Sequence, residues 1–228
     1  MKLLFVYTLT DDTNFAPCID NGLFSLACCK GKMRRSAASS MLDGDEVWVL
    51  GLCSKALNIT AHKNLGDDID RKYKPLFLSK IKEVPEYEEY FSYDSPYKGR
   101  NDQKAYKVEN EKIVSNECNP HNGDDEAIEK DKDGKYVLIS DHFIYLGSEC
   151  GKEKTLIENS APCIFDKIKK TPRGYNKYKD FDFDIERCLS DLTNNMNKAN
   201  RIKHLSEEII IIDNSIEKSG CGKKKNQK

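Results

Sequence analysis

The chain has 228 residues, of which 33% are charged and 38% hydrophobic, a mixture typical of a soluble globular protein. Its 37 basic and 38 acidic residues give a net charge of -1, so a polyanionic partner would need a local basic patch. The longest early apolar run, Leu3 to Tyr7, is far shorter than the roughly 20 residues of a membrane-spanning helix. We therefore expect no membrane segment and no signal peptide.

Four segments have the β-branched, aromatic and apolar composition of strands. A short helix is expected from Pro85 to Phe91, because proline suits a first helical position and two glutamates follow it. A second helix is expected over 183–199, where Ile185 and Leu189 begin a one-sided apolar pattern. The strands are expected near residues 2–10, 46–53, 74–84 and 135–147.

The remaining segments are predicted to be mainly loops and turns. The stretch from Leu23 to Ala38 is either a short helix or an irregular segment broken at Gly31. Six acids against two lysines make residues 123–134 an expected exposed loop. Residues 11–22 and 92–115 are polar and rich in turn formers.

These elements predict a single mixed α/β domain, of the α+β type, over residues 1–205. Its sheet is expected to be mostly antiparallel and barrel-like, with flanking helices and a C-terminal helix. Residues 206–228 form a C-terminal extension that ends in a basic tail.

The nine cysteines are odd in number and irregularly spaced, which predicts free thiols, no disulfide and a cytoplasmic protein. Cys118 and His121 have the spacing of a metal-ligand pair, which Cys28, Cys29 or Cys53 could complete. Because no second compact pair exists, we predict no metal and no cofactor.

Two polar clusters are candidates for chemistry. Cys28, Cys29 and Lys30 precede Arg34 and Arg35, and cations beside a thiol favour the reactive thiolate. The same cations could instead bind phosphate, and simple packing is the third alternative. A second cluster contains Arg100, Asp102 and Tyr106, which would form either a surface ion pair or the wall of a pocket. Further candidates are His121, His142 and Arg173.

Seven segments follow one another in a characteristic order along the chain. They are DTNFAPCIDNGLFSLACCKGKMRR, DGDEVWVLG, LFLSKIKEVPEYEEYF, GRNDQKAY, NPH, KYVLISDHFIYLG and PRGYNKY. Together they resemble the second nucleotide modification associated domain family. The resemblance covers most of residues 1–180, although Gly31 stands where the family has proline and Tyr175 where it has histidine. The strand order is also similar to that of PUA-like domains of the ASCH and EVE types, which hold a nucleotide or flipped base in a cleft.

This resemblance implies a role beside base-modifying enzymes, in DNA modification or phage defence. The leading hypothesis is a module that binds nucleic acid or a nucleotide with a modified base, using aromatic rings for stacking and arginines for phosphates. The alternatives are an enzyme acting on a nucleotide or nucleobase and a subunit that binds other proteins of a modification system. The binding set would be Lys30, Arg34, Arg35, Arg100, Asp102, Tyr106, His121, Phe143 and Arg173, with Trp48 and Tyr145 as further stacking rings.

For an enzyme, Cys28 or Cys29 would be the nucleophile, and Asp102, His121 or His142 would be the acid or base. We expect eight polar candidates to converge on one cleft, because functional groups lie on loops and these stretches carry the resemblance. They are Cys28, Cys29, Lys30, Arg34, Arg100, Asp102, His121 and Arg173. Convergent polar groups with perturbed pKa values beside a cleft would favour the enzyme. Stacked aromatic rings surrounded by arginines would favour the binding module.

Overall fold

The computed structural model describes residues 1–151 and 174–179. The predicted C-terminal helix at 183–199 and the extension at 206–228 lie outside these residues. The strands are β1 Lys2–Leu9, β2 Cys18–Asp20, β3 Leu23–Leu26, β4 Glu46–Cys53, β5 Pro75–Lys80, β6 Tyr106–Glu109, β7 Lys112–Ser115, β8 Leu138–Ser140, β9 His142–Tyr145 and β10 Tyr175–Lys179. The α-helices are α1 Gly31–Leu42, α2 Lys55–Leu65, α3 Tyr87–Phe91 and α4 Asp125–Lys132.

A five-stranded sheet in the order β10-β1-β4-β5-β9 forms the centre of the fold. The pair β1–β4 is parallel, and every other pair in this sheet is antiparallel. A parallel pair needs a crossover, which here consists of the β2–β3 hairpin followed by α1. All residues of β1 except the first are buried, as expected for its continuous apolar run.

The second layer contains a three-stranded sheet, β2-β3-β8, and a separate β6–β7 hairpin. Between the hairpin and α3 lies a small aromatic core that includes Tyr87, Tyr90, Phe91 and Tyr106. This part of the molecule positions the loop between β7 and α4, which carries His121.

The mixed α/β prediction and the mostly antiparallel sheet are confirmed. The described residues form open sheets rather than a closed barrel. The strand expected over 135–147 is two strands, because the chain leaves the three-stranded sheet after Ser140 and joins the central sheet at His142. The Ser140 hydroxyl accepts from the His142 N–H at 2.8 Å, which stabilises this change of direction.

Residues 123–134 are largely exposed, as expected, but the prediction of a loop is wrong, because three of the six acids lie where a helix N-terminus favours them. Asp124 caps α4 by accepting from the Ala127 N–H at 3.0 Å, and two further acids occupy the first turn. Lysines occupy the last turn, and buried Ile128 packs α4 onto the aromatic core. This acidic segment therefore forms a helix, because its charges suit the helix ends and the side chain of Ile128 is buried.

Four further segments add to or differ from the sequence prediction. The alternative at Leu23 to Ala38 is resolved as strand β3 followed by α1. The expected loop at 11–22 contains β2, and the turn-rich stretch at 92–115 contains the β6–β7 hairpin. Helix α2, which the sequence analysis did not assign, is capped by Ser54 and ends at Gly66 in the left-handed conformation.

Within the described part of the chain, no helix is long and apolar enough to cross a membrane. Cys118 is disulfide-bonded, so the prediction that no disulfide forms is wrong. The free cysteines of the described residues are Cys18, Cys28, Cys29, Cys53 and Cys150.

Candidate active site

A thiol, an imidazole and a carboxylate from three distant segments lie in a row. The Sγ atom of Cys29 is 3.8 Å from Nε2 of His121, and Nδ1 of the same ring is 2.9 Å from Oδ2 of Asp131. Cys29 lies between β3 and α1, His121 precedes α4, and Asp131 is in the last turn of that helix. The order nucleophile, base and orienting acid is the arrangement of a catalytic triad.

Asp131 holds both other members of this triad. Its carboxylate is buried, and its Oδ1 accepts from the Cys29 backbone N–H at 2.6 Å. Its Oδ2 accepts from the Tyr106 hydroxyl at 3.0 Å and contacts the His121 ring. One buried carboxylate therefore orients the imidazole and fixes the backbone that carries the thiol.

The pKa of His121 is raised from 6.5 to about 10, first by its hydrogen bond to Asp131 and second by its contact with Cys29. Burial acts in the opposite direction and is outweighed. The imidazole is therefore protonated at neutral pH.

The backbone at Cys29 is held in an uncommon conformation. Cys29 and the next residue, Lys30, have φ values of 60° and 50°, in the left-handed region that non-glycine residues rarely adopt. Such conformations cost of order 1–3 kcal/mol each and persist only where the surroundings enforce them. The Cys29 carbonyl accepts from Nε of Arg34 at 2.9 Å, while its N–H is bound by Asp131. The strained turn places Cys29 two residues before the start of α1, with Lys30 as the N-cap of the helix.

The thiol opens into a cavity of about 430 Å³, within the roughly 300–1,000 Å³ usual for ligand pockets. The cavity lies where β1 ends and α1 begins, the edge at which α/β sheets commonly bind ligands. It combines cationic, hydroxyl, acidic and aromatic side chains. Its walls are Tyr7, Leu9, Thr10, Asp11, Thr13, Phe15, Ala16, Cys29, Lys30, Pro120 and His121.

Of the residues predicted to converge, Cys29, Lys30 and His121 meet in this cavity. Arg34 is fully buried, and its guanidinium donates to the carbonyls of Cys29, Asp131 and Tyr136. No phosphate can reach it in this conformation, so its function is to brace the turn that carries the thiol.

Arg100 and Asp102 belong to a second buried network. Asp102 accepts from the Ser25 hydroxyl at 2.5 Å and the Tyr90 hydroxyl at 2.9 Å, and burial raises the pKa of its carboxyl. Arg100 donates to the carbonyls of Cys18, Asp20 and Leu23, which fixes the β2–β3 hairpin. Burial therefore keeps these two side chains from the edge of a bound base.

The other candidates lie in three environments. Cys28 is buried, and burial raises the pKa of its thiol well above the usual value, so it is unsuited to be the nucleophile. Arg35 is partly exposed and paired with Asp133. His142 lies at the edge of the Trp48 ring. The rings Trp48, Tyr106 and Tyr145 are at most 5% exposed, Phe143 packs on the core, and Arg173 lies outside the described residues.

Asp131 was missed by the sequence analysis, which placed it in an exposed acidic loop. The only local indication that Asp131 is buried is its position one turn after Ile128, on the inward face of α4. His121 was predicted as a candidate acid or base, but its partner Asp131 could be identified only from the tertiary structure.

Cysteine, histidine and aspartate also bind metals, and the ligand atoms of Cys29, His121 and Asp131 lie within 4.8 Å of one another. The two ring nitrogens of His121 face opposite ways, however, one toward the thiol and one toward the carboxylate. A metal ion would use only one of these nitrogens, and it would replace the contact that this nitrogen makes with Cys29 or Asp131. The geometry suits a triad better than a metal centre.

The fold and site together define a mixed α/β protein with a cysteine–histidine–aspartate triad at the end of a parallel strand pair. The model of nucleotide modification associated domain 2 matches residues 1–204, and the chain belongs to that family. This confirms the resemblance seen in the sequence and associates the protein with nucleotide modification. Neither a curated protein nor a solved structure shows a significant match to the chain.

Proposed function

We propose that this protein is a cysteine-nucleophile enzyme that transfers an acyl group during nucleotide modification. The proposal depends on one observation, the continuous contact from Cys29 through His121 to Asp131. Membership of a nucleotide modification associated family supports a nucleotide as one substrate.

In the first half-reaction, the Cys29 thiolate adds to the acyl carbon of the donor. The bond from that carbon to the leaving oxygen or nitrogen then breaks, and its electron pair stays with the leaving atom. The His121 imidazolium gives its proton to the leaving atom, and a thioester remains on Cys29.

In the second half-reaction, the neutral imidazole removes a proton from water or from an amine, such as the exocyclic amine of a base. That nucleophile attacks the thioester, the carbon–sulfur bond breaks, and Cys29 leaves as a thiolate. Asp131 stabilises the imidazolium in both halves and keeps Nε2 directed toward the reacting atoms.

The enzyme is favoured over a module that only binds a modified base. A titratable group with a strongly raised pKa, His121, lies beside the cavity, as expected for a catalytic site. The rings expected to stack on a base are packed in the interior, which leaves Phe15 as the aromatic side chain of the cavity besides Tyr7.

The nucleophile can be tested with p-nitrophenyl acetate, followed by intact-mass analysis. Wild-type protein should acquire one acetyl group with a burst of nitrophenol, and Cys29→Ala should acquire none. Cys28→Ala is the matched control, because Cys28 is the adjacent cysteine but is buried, and it should be acetylated like the wild type. Equal acetylation of Cys29→Ala and wild type would refute the proposal.

The nucleotide part can be tested by protection of Cys29 from iodoacetamide. A panel of nucleoside monophosphates and short oligonucleotides, plain and base-modified, should slow alkylation if the cavity binds a nucleotide. Protection without any acetylation of Cys29 would instead support the binding module. If no member of the panel protects the thiol, the nucleotide substrate is contradicted.

A further inference from the structure

One residue of the cavity wall beside Cys29 carries a buried hydroxyl with no hydrogen-bond partner in the described part of the chain. It belongs to Tyr7, near the end of β1, whose side chain is only 2% exposed. An unpaired buried hydroxyl costs free energy, so such groups in native proteins call for an explanation. Tyr7 forms part of the cavity wall, and the negative charges of Cys29 and Asp12 act on its hydroxyl. Tyr7 and Cys29 therefore line the same cavity.

The same cavity contains a half-buried cation. Lys30 has no ion pair or hydrogen bond through its ammonium among the described residues, and its Nζ lies 5.1 Å from the centre of the Tyr7 ring. Its burial lowers the pKa of the ammonium, which shows that the charge is partly desolvated. A partly desolvated cation attracts an anionic ligand more strongly than a surface lysine does.

We propose that the substrate is an acyl compound with an anionic group, whose reacting oxygen accepts from the Tyr7 hydroxyl and whose anionic group pairs with Lys30. This inference rests on the acyl transfer proposed above and adds the class of acyl donor and two residues that touch it. A phosphate is the anionic group that nucleotides and acyl phosphates share.

The chemistry follows from where charge appears during the reaction. When the Cys29 thiolate adds to the acyl carbon, the carbonyl oxygen becomes negative. A donor that is already in place stabilises that oxygen more than the neutral carbonyl, and this lowers the barrier. Burial, together with the nearby negative charges, raises the pKa of Tyr7, so the hydroxyl keeps its proton and remains a donor.

The structure supplies a matched control for Tyr7. The hydroxyl of Tyr87 is also buried and without a hydrogen-bond partner in the described residues, but Tyr87 lies in the separate aromatic core and not in the cavity wall. Loss of either hydroxyl removes an unpaired polar atom from the interior. Neither Tyr7→Phe nor Tyr87→Phe should therefore destabilise the fold.

The test compares acetylation of Cys29 by neutral p-nitrophenyl acetate and by anionic acetyl phosphate. Tyr7→Phe should slow acetylation by both donors roughly 10- to 1,000-fold, the usual effect of removing an oxyanion donor. Its alkylation by iodoacetamide, which forms no oxyanion, should stay at the wild-type rate. Tyr87→Phe should match the wild type in every assay.

Lys30→Gln should slow acetylation by acetyl phosphate at least roughly 10-fold more than acetylation by p-nitrophenyl acetate, as expected for loss of one desolvated charge pair. Inorganic phosphate should protect Cys29 from alkylation in the wild type and not in Lys30→Gln. Lys32→Gln is the control, because Lys32 is exposed on the first turn of α1 and outside the cavity.

The outcomes separate this inference from the proposed function. If the wild type accepts an acetyl group but Tyr7→Phe acts at the wild-type rate, the assignment of Tyr7 is wrong and the enzyme remains. If Lys30→Gln slows acetylation by both donors equally, and phosphate still protects Cys29 in this variant, the pairing of Lys30 with an anionic group is wrong. If wild-type Cys29 accepts an acetyl group from neither donor, the proposed function fails, and this inference fails with it.

Discussion

The ring of His121 is 2.9 Å from the carboxylate of Asp131 through Nδ1, and its other nitrogen faces the thiol of Cys29. Because Asp131 is buried, little water screens the attraction between the carboxylate and the imidazolium. The reactivity of the Cys29 thiol is therefore linked to the carboxylate of Asp131 through the ring of His121.

Asp131→Asn should lower the pKa of His121 from about 10 toward its ordinary value of 6.5, because the largest stabilising contact of the imidazolium is lost. Acetylation of Cys29 should fall roughly 100-fold or more, as when other bases lose their orienting carboxylate. Nuclear magnetic resonance titration of the His121 ring and stopped-flow acetylation measure the two effects.

The control for this variant is Asp133→Asn, two residues away, where the carboxylate is exposed and paired with Arg35. It should leave the His121 titration unchanged. An unaltered His121 pKa in Asp131→Asn would contradict the triad.

The raised pKa of His121 predicts how stability depends on pH. A histidine whose folded pKa lies above its unfolded value binds protons more tightly in the folded state. Its contribution is fully present below pH 6.5 and is lost as the pH rises through about 10. Urea unfolding across this window should show the wild type losing more stability with rising pH than His121→Gln. Parallel pH profiles for the two proteins would show that the pKa of His121 is not raised in the folded state.

Arg34→Met should destabilise the fold by about 3–5 kcal/mol, because it leaves buried carbonyl groups without their donor. The adjacent variant Arg35→Met should cost at most about 1 kcal/mol, since it removes only a partly exposed ion pair. The midpoints of urea unfolding at an unchanged slope measure both. A small effect at Arg34, or equal effects at the two positions, would mean that the guanidinium does not brace the Cys29 turn.

Asp102→Asn should act on stability rather than on base preference. The variant places an amide where two hydroxyls donate, so at least one buried hydrogen bond is lost, at a cost of about 1–3 kcal/mol. The exposed Asp94→Asn is the control and should change stability by less than about 0.5 kcal/mol. A changed preference between bases with unchanged stability would show that Asp102 contacts the ligand after all.

Much of the fold could be predicted from local patterns. The apolar runs of β1 and β4 predict buried strands, and a proline followed by glutamates predicts α3. These predictions succeed because a strand buried on both faces is a continuous apolar run, and because proline and acids are favoured near a helix start. Helix α3 begins at Tyr87, two residues after the predicted start. The family resemblance was likewise present in the sequence, since it depends on segments in a fixed order.

The sequence alone also offered Cys29, Lys30 and His121 as candidates, because thiols, cations and imidazoles are the groups that chemistry at neutral pH needs. Only the tertiary structure decided which of them act together. It buried Arg34, Arg100 and Asp102 in hydrogen-bond networks and joined Cys29 to residues 92 and 102 positions further along the chain. Burial and such contacts depend on how the sheets and helices pack, and no local period records them. For that reason Asp131 resembles a solvated acid in the sequence and is the buried centre of the site in the folded protein.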